Sequence, residues 1–189
     1  MEPLFKIATM VWVFTGVYWI LAAFNIKAAQ KKEDIKFRIF YMLFWIVPFL
    51  LTFFRVFPQA LLYTRLYPAY VALEYTAFIG MLLGLGLMIW SRVALGRNWS
   101  GRIAIKEDHQ LITTGPYAVA RHPMYTGFII AFFCTAILLG EVRGVLAFLI
   151  LIVGILMKIQ LEEKFVKQVF GHHYMIYSKK VKRLIPFIY

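Results

Sequence analysis

The sequence predicts an all-α, polytopic integral membrane protein with about five transmembrane helices. Apolar residues make up 62% of the 189 residues, well above the roughly 45–50% of soluble domains. Charged residues make up only 16%. Hydrophobic runs recur between short charged segments, and the longest have the ~20 residues that cross a bilayer. We expect one domain over 1–189, with three spans in 1–92 and a loop, a helical hairpin and a C-terminal segment in 93–189.

The first three spans follow from the longest apolar runs. They cover about residues 4–25, 37–57 and 67–89. Pro48 lies inside the second run, where a membrane helix tolerates proline if neighbouring groups satisfy the freed carbonyl group. The start of the chain lacks the basic region and the small-residue cleavage site of a signal peptide. We therefore expect the first run to remain as a membrane helix.

Two further apolar runs, 125–139 and 145–157, are separated by the short sequence GEVRG. Each is shorter than a perpendicular span requires, so they predict a tight helical hairpin that is tilted or extends into the headgroup region. We expect the fifth helix to continue past Met157 as an amphipathic stretch. In the third run, Gly80 and Gly84 form a GxxxG pair, which lets another helix approach closely.

The basic residues are distributed unevenly along the chain, which carries a formal net charge of +12. They lie between hydrophobic runs and near the C-terminus, a pattern typical of contact with anionic membrane lipids rather than with nucleic acid. With five spans, 17 of the 21 basic residues fall on one side of the membrane. The others are Lys6, Arg55, Arg65 and Arg143. The positive-inside rule therefore places the loop between spans three and four, and the C-terminal segment, in the cytoplasm.

The sequence offers few residues for a metal site or a disulfide. Cys134 is the only cysteine, which excludes an intrachain disulfide and a cysteine zinc cluster. His172 and His173 have no neighbouring acid and no third histidine, so we interpret them as residues of the membrane interface. We expect neither a metal site nor nucleic-acid binding.

The segment from His109 to Tyr125, HQLITTGPYAVARHPMY, is the longest run that is neither a membrane helix nor an ordinary charged loop. Its Gly-Pro pair signals a turn. Pro123 forces an extended conformation on the residue before it and suits the first turn of the fourth helix. Arg121, His122 and Tyr125 would then surround a helix N-terminus, where free N–H groups favour an anion such as a carboxylate. Alternatively, this cluster anchors the chain in the headgroup layer.

A second polar group follows the fifth apolar run. Lys158 and Glu162 are four residues apart, so they share one face of a helix, and Glu163 comes next. A carboxylate here could hold a ligand's ammonium group, with the Lys158 cation beside it for a substrate anion. The alternative is a solvated interfacial helix. The residues alone thus predict a cytoplasm-facing site that binds carboxylate, ammonium and aromatic groups, and they do not specify a reaction.

The order of the motifs resembles that of the isoprenylcysteine carboxyl methyltransferases. These enzymes belong to a wider group of membrane methyltransferases that includes the phospholipid methyltransferases. The shared elements are LITTGPYAVARHPMYTG, the later pair EE, and FGHHYMIYSKKVKRLIP. The match covers about the C-terminal half, from Leu95 to Pro186, whereas the first three spans match only in hydrophobicity. The chain is shorter than the eukaryotic enzymes and resembles a compact prokaryotic member.

The resemblance implies S-adenosyl-L-methionine as methyl donor and S-adenosyl-L-homocysteine as product, bound without a Rossmann domain. Glu162 would hold the ammonium group of this cofactor. The family has an arginine four residues before this glutamate, which meets the substrate carboxylate. Lys158 stands there instead and gives charge but no bidentate fork. Lys158 and Arg121 are the candidate catalytic residues. The implied cofactor contacts are His109, Gln110, Leu111, Ile112, Tyr117, His122, Pro123, Met124, Tyr125 and Glu162.

The resemblance implies methyl transfer at the membrane surface to the carboxylate of a lipophilic, isoprenylcysteine-type acceptor that enters from the bilayer. A carboxylate needs no deprotonation, so catalysis would consist mostly of in-line positioning. A close alternative is a phospholipid or small-lipid amine methyltransferase, in which His122 or Glu163 would serve as base. Less favoured are a sterol-reductase-like enzyme that binds NADPH and a non-enzymatic membrane adaptor or channel subunit.

Overall fold

The computed structural model describes residues 3–24, 29–32, 35–68, 70–99, 104–106, 110–186 and 188. These residues include five α-helices, which are α1 (Pro3–Ala23), α2 (Ile35–Phe53), α3 (Val71–Leu95), α4 (Pro123–Leu139) and α5 (Val142–Lys180). Short 3₁₀ turns span Ala60–Tyr63, Gly96–Asn98 and Gly115–Ala118. This architecture confirms the all-α fold class that the sequence predicts.

Three of the helices, α1, α3 and α5, are long and apolar enough to cross a membrane. The apolar part of α2 from Tyr41 to Phe53, and the whole of α4, are shorter. The chain is therefore a multi-pass integral membrane protein.

Helices α4 and α5 form the tight hairpin that the sequence predicts. α4 ends where Gly140 adopts a left-handed conformation with a φ of 65°, and α5 begins at Val142. α5 then continues for 39 residues. Its apolar part, 142–157, is followed by the expected amphipathic stretch, which extends beyond the membrane-spanning segment.

Glycines bring α3 and α4 into close contact. A Cβ atom at Gly84 would lie 2.6 Å from the backbone nitrogen of Ala131 and 2.7 Å from the carbonyl oxygen of Gly127. A Cβ atom at Gly80 would lie 2.7 Å from Sγ of Cys134, a side-chain atom that can move. The close approach that the GxxxG pair predicts is therefore confirmed, and its partner is α4.

We expect the Gly84→Ala substitution to destabilise the protein by about 1–3 kcal/mol, because the added methyl group meets backbone atoms of α4. The apparent midpoint of thermal unfolding in detergent micelles measures this effect. Gly86→Ala is the matched control, since a Cβ atom at Gly86 has none of the described residues within 4 Å. The control should leave the midpoint unchanged or raise it slightly, because alanine favours the helix. Equal midpoints for the two variants would contradict this account of the packing.

An aromatic cluster holds α1 against the other helices. The indole of Trp12, on α1, packs edge to face on Phe49 of α2 and on Phe128 of α4, with ring centroids 5.5 and 5.6 Å apart. Its Nε1 donates a hydrogen bond of 2.9 Å to Oγ1 of Thr135. An unpaired donor in this apolar region would be costly. Trp12 therefore joins α1 to α2 and α4 through both packing and a hydrogen bond.

Two of the predicted spans differ from the observed helices at their ends. α2 ends at Phe53 rather than near residue 57, and three carbonyl groups at its end are bound by Arg143. α3 begins at Val71 rather than near residue 67. α3 also continues past residue 89 to Leu95. Apolar length alone thus located these helices but not their ends.

Two segments that the sequence predicts as loops form a small antiparallel sheet. The first strand, β1 (Ala29–Lys32), follows α1 and pairs with β2 (Ala104–Lys106). This pairing joins the connection between α1 and α2 to the long connection between α3 and α4. Both connections therefore lie on the same side of the helices, as five spans require.

Candidate active site

A cavity of about 190 Å³ lies where the start of α4 faces the part of α5 beyond its apolar segment. We call it the polar cavity because polar and charged side chains, Glu162 among them, contribute to its lining. α4 begins at Pro123 as predicted. The preceding residue, His122, is not extended as expected, because its φ of −126° and ψ of 55° are neither helical nor extended. The Gly-Pro turn also forms as predicted, with a φ of 60° at Gly115. The local signals in this segment therefore shape one wall of the cavity.

Glu162 presents its carboxylate to this cavity. Its Oε1 accepts a hydrogen bond of 2.6 Å from the hydroxyl group of Tyr125, and its Oε2 lies 3.7 Å from Nδ1 of His122. The ring of His122 stacks on that of Tyr125, with centroids 5.8 Å apart. Because 24% of the Glu162 side chain is exposed, the carboxylate can accept further hydrogen bonds. It is therefore suited to bind an ammonium group.

Glu163, the next residue along α5, binds two arginines. Its Oε1 accepts hydrogen bonds from Nη2 and Nε of Arg121 at 2.6 and 3.0 Å. Its Oε2 accepts two from Arg183, at 2.9 and 3.1 Å. Burial by itself raises the pKa of this carboxyl group, but the hydrogen bonds from Arg121 and Arg183 and the nearby ring of His122 outweigh burial and lower the pKa well below its usual range. Glu163 therefore stays ionised at neutral pH.

Arg121 fixes the C-terminal segment beside α4. Its Nη1 donates to the carbonyl oxygens of Ser178 at 2.9 Å and Val181 at 2.5 Å. Its backbone N–H donates to the carbonyl oxygen of Lys182 at 2.8 Å, and the N–H of His122 donates to the following carbonyl group at 2.9 Å. The chain after α5 therefore lies alongside the residues that begin α4.

The last part of α5 folds over the polar cavity. Gly171 has a φ of 49° and a ψ of −119°, a conformation that residues with a side chain rarely adopt, and it bends the helix there. Tyr174 and Tyr177 then line the cavity, and the hydroxyl group of Tyr177 donates to the carbonyl oxygen of Tyr117 at 2.6 Å. Residues 172–180 therefore form one wall of the cavity.

Tyr117 lines the cavity from the 3₁₀ turn before α4. Burial, followed by the nearby charge of Glu162, raises the pKa of its hydroxyl group well above the usual value. Tyr117 therefore stays neutral at physiological pH and keeps its hydroxyl proton as a hydrogen-bond donor.

A second, apolar cavity of about 640 Å³ lies among the membrane helices. Its aromatic lining comes mostly from α1, α2 and α4, and includes Trp12, Trp19, Tyr41, Trp45, Phe49 and Phe128. Trp99, Met124 and Tyr125 line both cavities. The polar and the apolar cavity therefore adjoin at these three residues.

Lys158 places its ammonium group at the apolar cavity. Nζ lies 5.3 Å from the ring centroid of Tyr41 and 5.5 Å from that of Trp45, distances at which aromatic faces stabilise a cation. Lys158 is only 8% exposed. Glu162, one helical turn further along α5, lines the polar cavity. α5 therefore presents a cation to one cavity and a carboxylate to the other.

Most of the residues that the sequence singled out surround the polar cavity. Its lining includes Gln110, Leu111, Ile112, Tyr117, Arg121, His122, Met124, Tyr125 and Glu162. Pro123 is buried at the start of α4, and Lys158 lines the apolar cavity. His109 lies outside the described residues.

Sequence reasoning did not identify other residues that line the polar cavity. They include Asn98, Trp99, Phe165, Phe170, Tyr174 and Tyr177. Two signals were available, since NWS interrupts the apolar pattern after the third span, and the tyrosines of YMIY are three residues apart and so share a helix face. Asn98 matters most, because its buried Oδ1 has no hydrogen-bond partner among the described residues.

Comparison with known proteins points to one family. The family model described as phospholipid methyltransferase matches residues 72–173, more than half of the chain. The probable protein-S-isoprenylcysteine O-methyltransferase of Oryza sativa subsp. indica is 33% identical over 133 residues, which cover 69% of this chain and 69% of that protein. The methanethiol S-methyltransferase of Pseudomonas deceptionensis is 42% identical over 71 residues, which cover 37% of this chain and 26% of that protein.

A solved structure has a similar fold. It is the eukaryotic intramembrane Ras methyltransferase, an isoprenylcysteine carboxyl methyltransferase, with a TM-score of 0.57 and 26% sequence identity. The match covers 84% of this chain and 55% of that chain, so this chain spans about half the length of the solved enzyme. Because the family model extends through α3, α4 and most of α5, and the relative from Oryza covers two thirds of the chain, this protein belongs to the isoprenylcysteine carboxyl methyltransferase family of integral membrane methyltransferases.

Proposed function

We propose that this protein transfers the methyl group of S-adenosyl-L-methionine to the carboxylate of a lipophilic, isoprenylcysteine-type acceptor. The observation that carries the proposal is the pair of cavities that adjoin at Trp99, Met124 and Tyr125. The polar cavity suits a water-soluble donor, and the apolar cavity suits a lipid. The names of the relative from Oryza and of the solved enzyme support the same class of acceptor.

The polar cavity has groups that suit S-adenosyl-L-methionine. The carboxylate of Glu162 can pair with an ammonium group. Oδ1 of Asn98, which has no hydrogen-bond partner in the part of the chain that the structure describes, can accept a hydrogen bond from an amino group. The aromatic rings of Tyr117 and Tyr174 offer faces that attract a cation such as a sulfonium. When bound, this donor supplies a methyl group that is already electrophilic, and S-adenosyl-L-homocysteine is the product.

Residues of the apolar cavity would hold the acceptor in line with the donor. The aromatic walls exclude water, so a carboxylate that enters the cavity loses part of its hydration. Lys158 would then hold this carboxylate by charge. Because its ammonium group is a single point charge, Lys158 fixes the carboxylate less strictly than the fork of an arginine would. Positioning of this kind is the main contribution expected from the protein.

We propose that Arg121, a candidate catalytic residue from the sequence, positions the site instead of touching the acceptor. Its guanidinium group donates to Glu163 and to two carbonyl groups of the C-terminal segment. Its side chain is 8% exposed, which leaves little of it for a substrate. Through these bonds Arg121 holds Tyr177 and its neighbours against the polar cavity.

A carboxylate acceptor is favoured over the amine of a phospholipid or other small lipid. An amine must lose a proton before it attacks, and Glu163 is a poor base because its two arginine partners help keep its pKa well below the usual range. The cation of Lys158 at the apolar cavity also repels a protonated amine and attracts a carboxylate. The cavity of about 640 Å³ is moreover far larger than a small thiol requires.

We place the site on the cytoplasmic side of the membrane. The positive-inside rule supports this orientation, because most basic residues lie on the side that carries the polar cavity. The basic residues assigned to the opposite side lie near Glu141, which directly precedes α5. Arg55 and Arg143 form ion pairs with Glu141, and Arg65 pairs with it through the backbone. The donor would then arrive from the cytoplasm and the acceptor from the bilayer.

Calorimetric titration of the purified protein with S-adenosyl-L-homocysteine tests the donor. Binding is expected, whereas binding of NADPH without binding of S-adenosyl-L-homocysteine would reject the proposal. Transfer of a labelled methyl group tests the acceptor. A prenylated cysteine with a free carboxylate should be methylated and its carboxamide should not. Methylation of a phospholipid amine in place of the carboxylate would contradict the proposed acceptor.

We expect the Lys158→Gln substitution to lower kcat/KM for a carboxylate acceptor by about 10- to 150-fold, the loss that follows removal of one hydrogen bond to a charged group. The affinity for S-adenosyl-L-homocysteine should stay within about twofold, because Lys158 lines the apolar cavity. Lys158→Arg should retain activity, since it restores the charge and adds a fork. A parallel loss of S-adenosyl-L-homocysteine binding would instead assign Lys158 to the donor site.

A further inference from the structure

The last helical segment, residues 172–180, has apolar side chains on two opposite faces. Tyr174 and Tyr177 are buried against the polar cavity. Met175 and Ile176 lie on the other face, and they are 48% and 44% exposed. Two neighbouring apolar side chains on the outside of an already packed helix indicate a contact with a further surface.

Exposed lysines follow at the end of α5 and just beyond it, together with a further exposed apolar side chain. We call this set the basic face and define it by Met175, Ile176, Lys179, Lys180, Lys182 and Ile185. All six side chains are exposed, and Ile185 is 50% exposed. Apolar side chains combined with lysines are typical of segments that lie in the headgroup region of a bilayer. There the apolar groups reach the acyl boundary and the lysines meet anionic lipids.

Hydrogen bonds set the depth of the basic face relative to the membrane. The backbone N–H of Arg121 donates to the carbonyl oxygen of Lys182 at 2.8 Å, and Oγ1 of Thr126 donates to that of Leu184 at 2.8 Å. Both donors lie at the start of α4, where the chain enters the membrane. Residues 182–184 are therefore level with the membrane boundary, and the exposed side chains beside them lie at the depth of the headgroups.

We propose that the basic face docks on anionic lipid headgroups of the surrounding membrane, and that this docking holds residues 172–184 against the polar cavity. The two effects are linked because the helix that carries Met175 and Ile176 outside carries Tyr174 and Tyr177 inside. A zwitterionic bilayer offers the apolar contact without attracting the lysines. Near an anionic surface, each lysine raises the equilibrium constant for docking by about fivefold.

Hydrogen exchange of the full chain in lipid nanodiscs tests this proposal. In discs of phosphatidylcholine with added phosphatidylglycerol, the amides of residues 172–181 should exchange at least about fivefold more slowly than in pure phosphatidylcholine. Salt at about 0.5 M should remove most of the difference, because it screens the charges. Equal exchange in the two kinds of disc would overturn the proposal.

Two charge-matched variants locate the effect. The triple variant Lys179→Ala, Lys180→Ala and Lys182→Ala should lose the difference between the two lipid mixtures. The control replaces three other exposed lysines with alanine, Lys6, Lys164 and Lys167, and should keep the difference. If the difference persists in the first variant, or disappears in both, the basic face is not the docking surface. All six lysines are exposed, so neither variant removes a buried contact of a lysine side chain.

Discussion

The Arg143→Ala variant is expected to lose about 3–5 kcal/mol of unfolding free energy, because the substitution breaks a buried ion pair. Arg143 is 2% exposed, and its Nε donates to Oε2 of Glu141 at 2.6 Å. Its Nη1 donates to three carbonyl oxygens at the end of α2, those of Leu51 at 2.9 Å, Thr52 at 3.2 Å and Phe54 at 3.0 Å. Alanine would remove the buried donor from this carboxylate and from the three carbonyl groups, where little water can replace it.

The apparent midpoint of thermal unfolding in detergent micelles should fall by on the order of 10 °C, since 1 kcal/mol corresponds to about 2–4 °C in a chain of this size. Arg55→Ala is the matched control. Arg55 also pairs with Glu141, with Nη2 and Oε1 3.5 Å apart, but its side chain is 64% exposed. Exposed pairs contribute at most about 1 kcal/mol. If both variants unfold at the same temperature, the buried contacts of Arg143 are not a main source of stability.

The contacts of Arg143 show which part of the fold could not be predicted from the sequence. Arg143 and Leu51 are 92 residues apart, and the sequence GEVRG indicates a turn without indicating what its arginine binds. The end of α2 depends on this distant side chain. The length of the apolar run therefore predicted an end too far along the chain. The start of α4 at Pro123 and its end at Gly140 depend on local backbone chemistry, and the sequence did indicate both.

The candidate site could likewise be predicted only in part from the sequence. Its motifs located Tyr125 and Glu162 near one another, and the hydroxyl group of Tyr125 does donate to Glu162. Spacing alone could not say which of two adjacent glutamates faces the cavity, because successive side chains on a helix point about 100° apart. Lys158 and Glu162 share a helix face by spacing, yet they line different cavities. That separation depends on how α2, α4 and α5 pack, which no local pattern specifies.

Replacing Glu162 by alanine should nearly abolish binding of S-adenosyl-L-homocysteine. The carboxylate lines the polar cavity and, in the proposed function, pairs there with the ammonium group of the ligand. Loss of one partner of such a charge pair costs about 2–5 kcal/mol of binding free energy, which corresponds to at least about a 30-fold rise in Kd. Calorimetric titration of the purified variant measures this change.

Two controls separate this role from a structural one. Gln160→Ala changes an exposed residue of α5 and should leave the Kd unchanged. The second control is a ligand, 5′-methylthioadenosine, which has the adenosine and sulfur of the donor but lacks the ammonium group. Its affinity should be nearly the same for the native protein and for Glu162→Ala. If the variant binds S-adenosyl-L-homocysteine normally, Glu162 does not contact the ammonium group. If it loses both ligands equally, Glu162 supports the shape of the cavity through its hydrogen bond with Tyr125.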